Sequence, residues 1–462
     1  MSDFRPRIVG GEMEYDFHFK TQNGEVNVLR EETKSALRQG LSKNIVYFPD
    51  EGLRFQIDSF LENGARYYTD INYLMEYASP ECSSFYEAVL YDIAAENYVI
   101  DHISSDEFQD ATTETRLFKR VSGHSANERT SGAHENYFLE KLDAYSDFRE
   151  AGIALFGLAS HLITRAIYIG AGSTDHKGAF HKTQKLRNLE TLVDQTTTKH
   201  KPIVNVRNEP LSKVGSRMHV IAGDANISPW ATWMKYGTTS LVLRMIENDF
   251  YPNRAELNHK DIVPIAHAVG STASLSTLFR TNQGKKVTAL DVQEMLYEQA
   301  VKLGNHFHLP SEEYEVISEW GEVLEDLKSD PNKCLDRIDW LQSQRIVEQT
   351  GSKTYDRHKR DLGYTMLYPV LGYGARLRQA NLFRKSPDQE SINAAHTVAP
   401  KNTRAHVRGE AVKTLSEGNI TGDIGWDSIK VLVPKIGTES YEMPDPYDNN
   451  VDNFYSWLAK TF

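Results

Sequence analysis

Apolar and polar residues alternate in short runs and recur at helical spacing in longer ones, and the mixture predicts an α+β chain. Arg7–Phe19 (RIVGGEMEYDFHF) reads as a first strand interrupted by Gly10-Gly11, with Glu12 and Glu14 on one face and Met13 and Tyr15 on the other. The Asn63-Gly64 turn signal opens a second strand, in which Arg66, Tyr68 and Asp70 lie two apart and so share a face. Ser84–Ile103 places apolar residues at helical spacing and predicts a helix against the sheet. Further strands are expected over Thr115–Val121, Pro202–Pro210 and Arg217–Asn226, and a small polar loop after the first of these delivers His134, Glu135 and Asn136 together. Helices are expected over Arg30–Gly40, Asp147–Arg165 and Met234–Glu247, and in a series from Asp291 to Glu348 that puts Trp320 and Trp340 in the core. Lys43–Asn63 is loop-rich, with Pro49, Asp50 and Gly52 as breakers, and Gly363–Gly374 ends the helical series. The polar stretch Lys385–Thr403 predicts a domain boundary. Beyond it come TRAHVRGE, a strand pair around Gly425-Trp426-Asp427 and Ile429–Val433, and an amphipathic helix, Val451–Phe462.

Composition narrows the class. A chain of 462 residues with 40% hydrophobic and 25% charged residues can bury a large core. The formal net charge of -12 argues against non-specific nucleic-acid binding, which needs a basic surface. The opening residues lack an apolar leader core and no run approaches the length of a membrane span, so no membrane association is expected. Cys82 and Cys334 are the only cysteines, which leaves neither a disulfide framework nor a cysteine zinc site and suggests a cytoplasmic protein.

The sequence has no phosphate-binding loop, no dinucleotide fingerprint, no kinase catalytic loop, no H-E-x-x-H and no G-x-S-x-G. What remains is acids and arginines spread over several strands: Glu12, Arg66, Asp70, Glu76, Glu135 and Arg207. A sheet face rich in carboxylates can hold magnesium ions that bridge ATP phosphates, because magnesium takes hard oxygen ligands. Arginines on neighbouring strands then neutralise a moving phosphoryl group. The plainer alternatives are a surface hairpin with scattered charges around Arg66–Glu81, and a hydrogen-bonded structural cluster of His134, Glu135 and Asn136. His219 is a candidate polar group facing inward.

The ordered set IVGGEMEY, GARYYTD with EYASPEC, HENY, PIVNVRNEP, HVIAGDAN, KYGTTSLVL and TRAHVRGE resembles the Pup ligase and Pup deamidase/depupylase family, a branch of the carboxylate–amine ligases. The resemblance implies a glutamine synthetase-like fold: a large curved antiparallel sheet backed by helices over residues 1–390, with a small C-terminal domain over 391–462. It implies Asp70 as catalytic base, Glu12, Tyr68 and Glu76 at magnesium, and Arg66, Ser79, Arg207 and Trp426 at ATP. The implied reaction phosphorylates the C-terminal glutamate side chain of a small ubiquitin-like, Pup-like protein. A substrate lysine then attacks the γ-glutamyl phosphate and an isopeptide bond forms.

Departures from the family pattern are Leu74-Met75, Lys119-Arg120-Val121, Asn208 and Leu211. The separation of Glu12 and Asp70 by 58 positions (70 − 12), and the chain that continues past Trp426-Asp427-Ser428, favour the ligase branch. SPEC, GDAN, KYGTT and WDS resemble depupylase wording more closely, so hydrolysis of the same bond stays open. A modifier-binding homologue without turnover and a ligase acting on a small amino acid stay open as well.

Overall fold

The computed structural model describes residues 3–21, 58–69, 75–106, 109, 112–124, 130–148, 152–197, 200–209, 211–349 and 351–462. The expected helix Arg30–Gly40, most of the loop-rich stretch after it, and Asp70 lie outside these residues. Among the described residues, ten strands make the main sheet: β1 (Val9–Thr21), β2 (Asp58–Phe60), β3 (Arg66–Thr69), β4 (Met75–Ala78), β5 (Thr112–Phe118), β6 (Ala133–Leu139), β7 (Thr191–Asp194), β8 (Pro202–Asn205), β9 (Ser216–Val220) and β10 (Met366–Tyr368). Their order is β2-β3-β4-β1-β6-β9-β8-β7, while β5 pairs with the far half of β1 and β10 pairs with β5. The ladder is antiparallel up to its last pair, β8 with β7, which is parallel.

Side chains alternate between the two faces as strand geometry requires. The back face carries Met13, Tyr15, Tyr67, Met75 and Tyr77, all buried in one apolar cluster with Val99 and Ile103 of α1 (Phe85–Ile103). Helix α1 starts where Ser84 accepts a hydrogen bond from the Glu87 amide, one of the donors a helix end leaves unpaired. A larger cluster joins α1 to α2 (Ile153–Thr164), α3 (Pro229–Glu247), α4 (Ala289–His306) and α5 (Ser311–Ser329). Trp320 and Trp340 are buried there as expected. The Gly-Gly interruption in β1 has a packing reason: a Cβ on Gly11 would lie 2.5 Å from the Tyr236 hydroxyl of α3. Without glycine there, helix and sheet could not approach so closely.

Helix α3 begins five residues before the expected Met234, because Ser228 caps it and Pro229 fits its first turn. Strand β8 ends at Asn205, so Arg207 and Glu209 sit beyond it rather than within a strand running to 210. After α6 (Asp339–Glu348), a second core forms from Val407, Leu415, Ile429, Phe454 and Leu458. It joins α7 (Arg404–Glu417), a three-stranded sheet of β11 (Gly422–Ile424), β12 (Ser428–Val433) and β13 (Gly437–Glu442), and α8 (Val451–Thr461). Trp426 lies in the turn between β11 and β12. Among the described residues, no helix is long and apolar enough to cross a membrane.

Candidate functional site

The front face of the sheet is built by cross-strand register. Glu12 lies opposite Ala78 and His134, Glu76 lies opposite Glu14 and Tyr68, and Arg66 lies opposite Ala78. Residues directly opposite share a face, so Glu12, Glu14, Glu76, Tyr68, Arg66 and His134 converge on one side. Strand β9 adds His219, opposite Asn136, and Arg217, opposite Phe138.

Glu12 is the centre of this face. One of its oxygens accepts from Asn136 Nδ2 at 3.0 Å and lies 3.6 Å from the Arg217 guanidinium. The other faces His134 Nδ1 at 3.2 Å and His219 Nε2 at 3.3 Å. Burial pushes the carboxyl up, but His219 and His134 outweigh it and hold Glu12 well below the usual carboxylate range. Burial also lowers both imidazoles, which favours the neutral form that a metal ligand needs. Ligand atoms of Glu12, His134 and His219 all lie within 4.8 Å of one another, close enough to share one cation.

A second set of donors lies one register step away. Burial, with the neighbouring Glu76 and Glu12 charges, keeps the Tyr68 phenol protonated and hydrogen-bonded to Glu76. Glu14 accepts from the Gly132 amide at 2.8 Å. The Lys185 ammonium donates to the Ser131 carbonyl at 2.7 Å, and burial pulls its pKa down to about 8, against the attraction of Glu14, Asp224 and Glu76. One face thus carries a carboxylate–imidazole set and an oxygen-only set side by side.

Beside Glu12 opens a pocket. Its apolar walls include Ile8, Phe138, Leu211 and Trp426, and its polar end is Glu12, Ser79 and Arg217. The Ser79 hydroxyl accepts from the Gly11 amide at 2.9 Å and donates to the Pro80 carbonyl at 3.0 Å, tying the exit of β4 to β1. Trp426 comes from the C-terminal part of the chain and is held against Arg408, whose guanidinium carbon lies 4.7 Å from the ring centre. Arg66 is gripped by both Asp58 oxygens and stacks 4.6 Å from the Tyr68 ring centre. A slot with apolar walls that also carries Glu12, Glu81, Arg217 and Arg404 suits a molecule with a flat ring at one end and phosphates at the other.

The structure therefore brings together Glu12, Tyr68, Glu76 and Arg66 on the face and Ser79 and Trp426 at the pocket. It does not bring Arg207 to the pocket: that side chain is exposed and pairs with Glu209 at 2.9 Å. Arg217 occupies the pocket wall instead and reaches back to the Glu209 carbonyl at 3.1 Å. Period-two alternation splits the expected His134–Glu135–Asn136 cluster. His134 and Asn136 face Glu12, whereas Glu135 points backward, fully buried, with two hydrogen bonds from Arg165. Glu81, one of the acids in the opening hairpin, is held by Arg404 at 2.8 Å and by Arg408. The only sequence signal for that anchor is the Arg404–Arg408 spacing, which puts both on one side of a helix.

The sequence profile described as Pup-ligase protein matches residues 7–430. The chain is 30% identical to a Pup–protein ligase of Corynebacterium glutamicum, over 87% of each chain. It is likewise 30% identical to a Pup deamidase/depupylase of Mycolicibacterium smegmatis, over 82% of this chain and 79% of that one. Its fold is similar to that in the crystal structure of the complex between prokaryotic ubiquitin-like protein Pup and its ligase PafA, with TM-score 0.82 and 25% identity over 98% and 93% of the two chains. The Pup ligase PafA in complex with ADP matches with TM-score 0.76 and 25% identity, over 94% of this chain and 96% of that one.

Proposed function

The chain belongs to the Pup ligase family, and from that premise we propose that it is an ATP-dependent ligase joining the C-terminal glutamate of a Pup-like protein to lysines of substrate proteins. The observation that carries the reading is the junction at Glu12, where an apolar pocket meets a carboxylate and imidazole face. In this reading the adenine lies against Trp426 and Ser79, and the phosphates run towards Glu12 and Arg66. Likeness to an ADP-bound ligase supports ATP as the co-substrate.

The residues fit a divalent cation. Glu76, Glu14 and Tyr68 offer hard oxygens, and Glu12 adds a carboxylate held ionised by its imidazole neighbours. We assign Glu12, Tyr68 and Glu76 to Mg2+, which supplies charge neutralisation for the phosphate oxygens. Arg66 is assigned to the same phosphates, which means exchanging Asp58 for a phosphate oxygen. Phosphorylating the glutamate side chain turns a poor leaving oxygen into a good one. Asp70, the assigned general base, then takes a proton from the substrate lysine so that a neutral amine attacks the acyl carbon, phosphate leaves, and the isopeptide bond forms. We place the reaction in the cytoplasm, a reading supported by two buried, unpaired cysteines.

The test combines purified protein, ATP, Mg2+, a Pup-like protein ending in glutamate and a lysine-bearing acceptor, followed by intact mass. The expected product is modifier plus acceptor minus one water, with ADP released, and both are lost in Asp70→Asn. Cleavage of a preformed conjugate without net ATP consumption would establish the hydrolase instead.

A further inference from the structure

Between the acid face and the pocket, five side chains stack in one file: Tyr68, Arg66, Phe60, Arg408 and Trp426. The Arg66 guanidinium carbon lies 4.6 Å from the Tyr68 ring centre and 5.9 Å from that of Phe60. The Arg408 carbon lies 5.3 Å from Phe60 and 4.7 Å from Trp426. Phe60 and Trp426 also meet edge to face, 5.1 Å apart at 84°. Cations attracted to ring faces alternate with the rings themselves, and Phe60 is the one member that touches three others.

Phe60 lies outside the pocket lining, and it belongs to a three-residue strand that, among the described residues, pairs only with β3. That strand directs both residues of one face at Arg66: Asp58 grips the guanidinium and Phe60 lies opposite it in register. At the other end, Arg408 is fully buried and donates to the Gly64 carbonyl at 2.8 Å and to the Trp426 carbonyl at 3.0 Å, while also pairing with Glu81. Gly64 sits at φ +78°, where its missing side chain lets α7 approach: a Cβ would lie 2.7 Å from the Ala405 carbonyl. Arg408 therefore ties the turn that launches β3 to the pocket tryptophan, and Phe60 fills the space between the two arginines.

We propose that Phe60 is a positioning residue for the nucleotide, setting Trp426 of the C-terminal part at a fixed distance from Arg66 on the sheet. The proposal rests on the ATP reading of the pocket. A ring between two guanidiniums fixes their spacing without competing for their hydrogen bonds, so Arg66 keeps its position towards the phosphates and Trp426 its position towards the base. Phe60 acts through those two neighbours.

The test uses the full chain with Phe60→Leu, which keeps an apolar side chain and removes the ring, and Phe60→Tyr, which keeps the ring. Phe60→Leu is expected to raise the KM for ATP about tenfold, equivalent to about 1.4 kcal/mol. The kcat at saturating ATP and the KM for the modifier stay within about twofold, and Phe60→Tyr restores the KM. Arg408→Lys, which keeps the charge beside Glu81 and loses the planar stack, is expected to move the ATP KM in the same direction. Calorimetric titration of the unmodified protein with ADP separates the two readings: no binding there overturns the ATP reading itself. ADP binding with an unchanged ATP KM in Phe60→Leu overturns the role of Phe60, and so does an equal rise of the KM for ATP and for the modifier with a lowered Tm.

Discussion

Glu12 and Glu135 lie on neighbouring strands one register step apart, yet they point to opposite faces of the sheet and live by different chemistry. Glu135 is wholly buried and saturated: Arg165 donates to both its oxygens, and the Tyr137 hydroxyl donates to one of them. Glu12 has as partners two imidazoles, an amide and, more distantly at 3.6 Å, the Arg217 guanidinium, and it borders an open pocket. A guanidinium clamped in the interior cannot be given up without stranding a charge, whereas an imidazole can turn its lone pair to an incoming cation. Burial and charge alone do not mark a functional acid. What marks it is partners that a ligand can recruit or replace.

Removing each charge in turn tests that contrast. Glu12→Gln is expected to lower the conjugation rate at least about 100-fold if Glu12 holds the cation as proposed, while stability shifts by less than about 1 kcal/mol. Glu135→Gln is expected to cost about 3–5 kcal/mol of stability, because Arg165 is left buried and unpaired, with near-normal activity per folded molecule. Rate assays and urea unfolding on both variants read the two quantities. A Glu12 variant that unfolds as readily as the Glu135 variant would erase the contrast.

Glu81 extends the comparison to an acid that stands at the pocket but belongs with the structural class. Burial pushes its carboxyl up, but Arg408 and Arg404 override it and hold the pKa at about 2. Because the folded-state value lies below the unfolded one, the stabilisation is complete above about pH 4.5 and disappears as the pH falls towards about 2, amounting to about 3 kcal/mol. Glu81→Gln should therefore differ from the parent protein by about that much at neutral pH, and the gap should close in acid. Denaturant unfolding at a series of pH values checks this, and a gap that does not change with pH would remove Glu81 from the structural class.

How far the chain discloses these roles depends on the range of the contact. Alternation in Glu12-Met13-Glu14-Tyr15 and in Arg66-Tyr67-Tyr68 is local, so the acid face was legible, and so was the helix over 85–103. The same alternation assigns Glu135 to the face opposite His134 and Asn136, although grouping the three by chemistry hides it. Phe60 carries no signal, because a three-residue edge strand after a stretch broken by Pro49 and Gly52 has no period to read. Arg165 and Arg408 meet their acids across 30 and 327 residues, and no spacing rule reaches that far.

The two arginines around Glu209 give the smallest effect and the sharpest discrimination. Family resemblance points to Arg207 at the phosphate, but its strand stops at Asn205 and its side chain turns into solvent towards Glu209. Arg217 also touches Glu209, but its guanidinium reaches Asn136 at 2.8 Å and Glu12 at 3.6 Å on the pocket wall. An exposed ion pair contributes at most about 1 kcal/mol, so a charge on the Arg207–Glu209 link has little leverage on the pocket unless phosphate draws Arg207 inward. Arg217→Met is expected to raise the KM for ATP about tenfold, and Arg207→Met less than about twofold. If Arg207→Met instead matches Arg217→Met, the loop after β8 must close over the nucleotide, and the exposed pair with Glu209 is the state in which Arg207 waits.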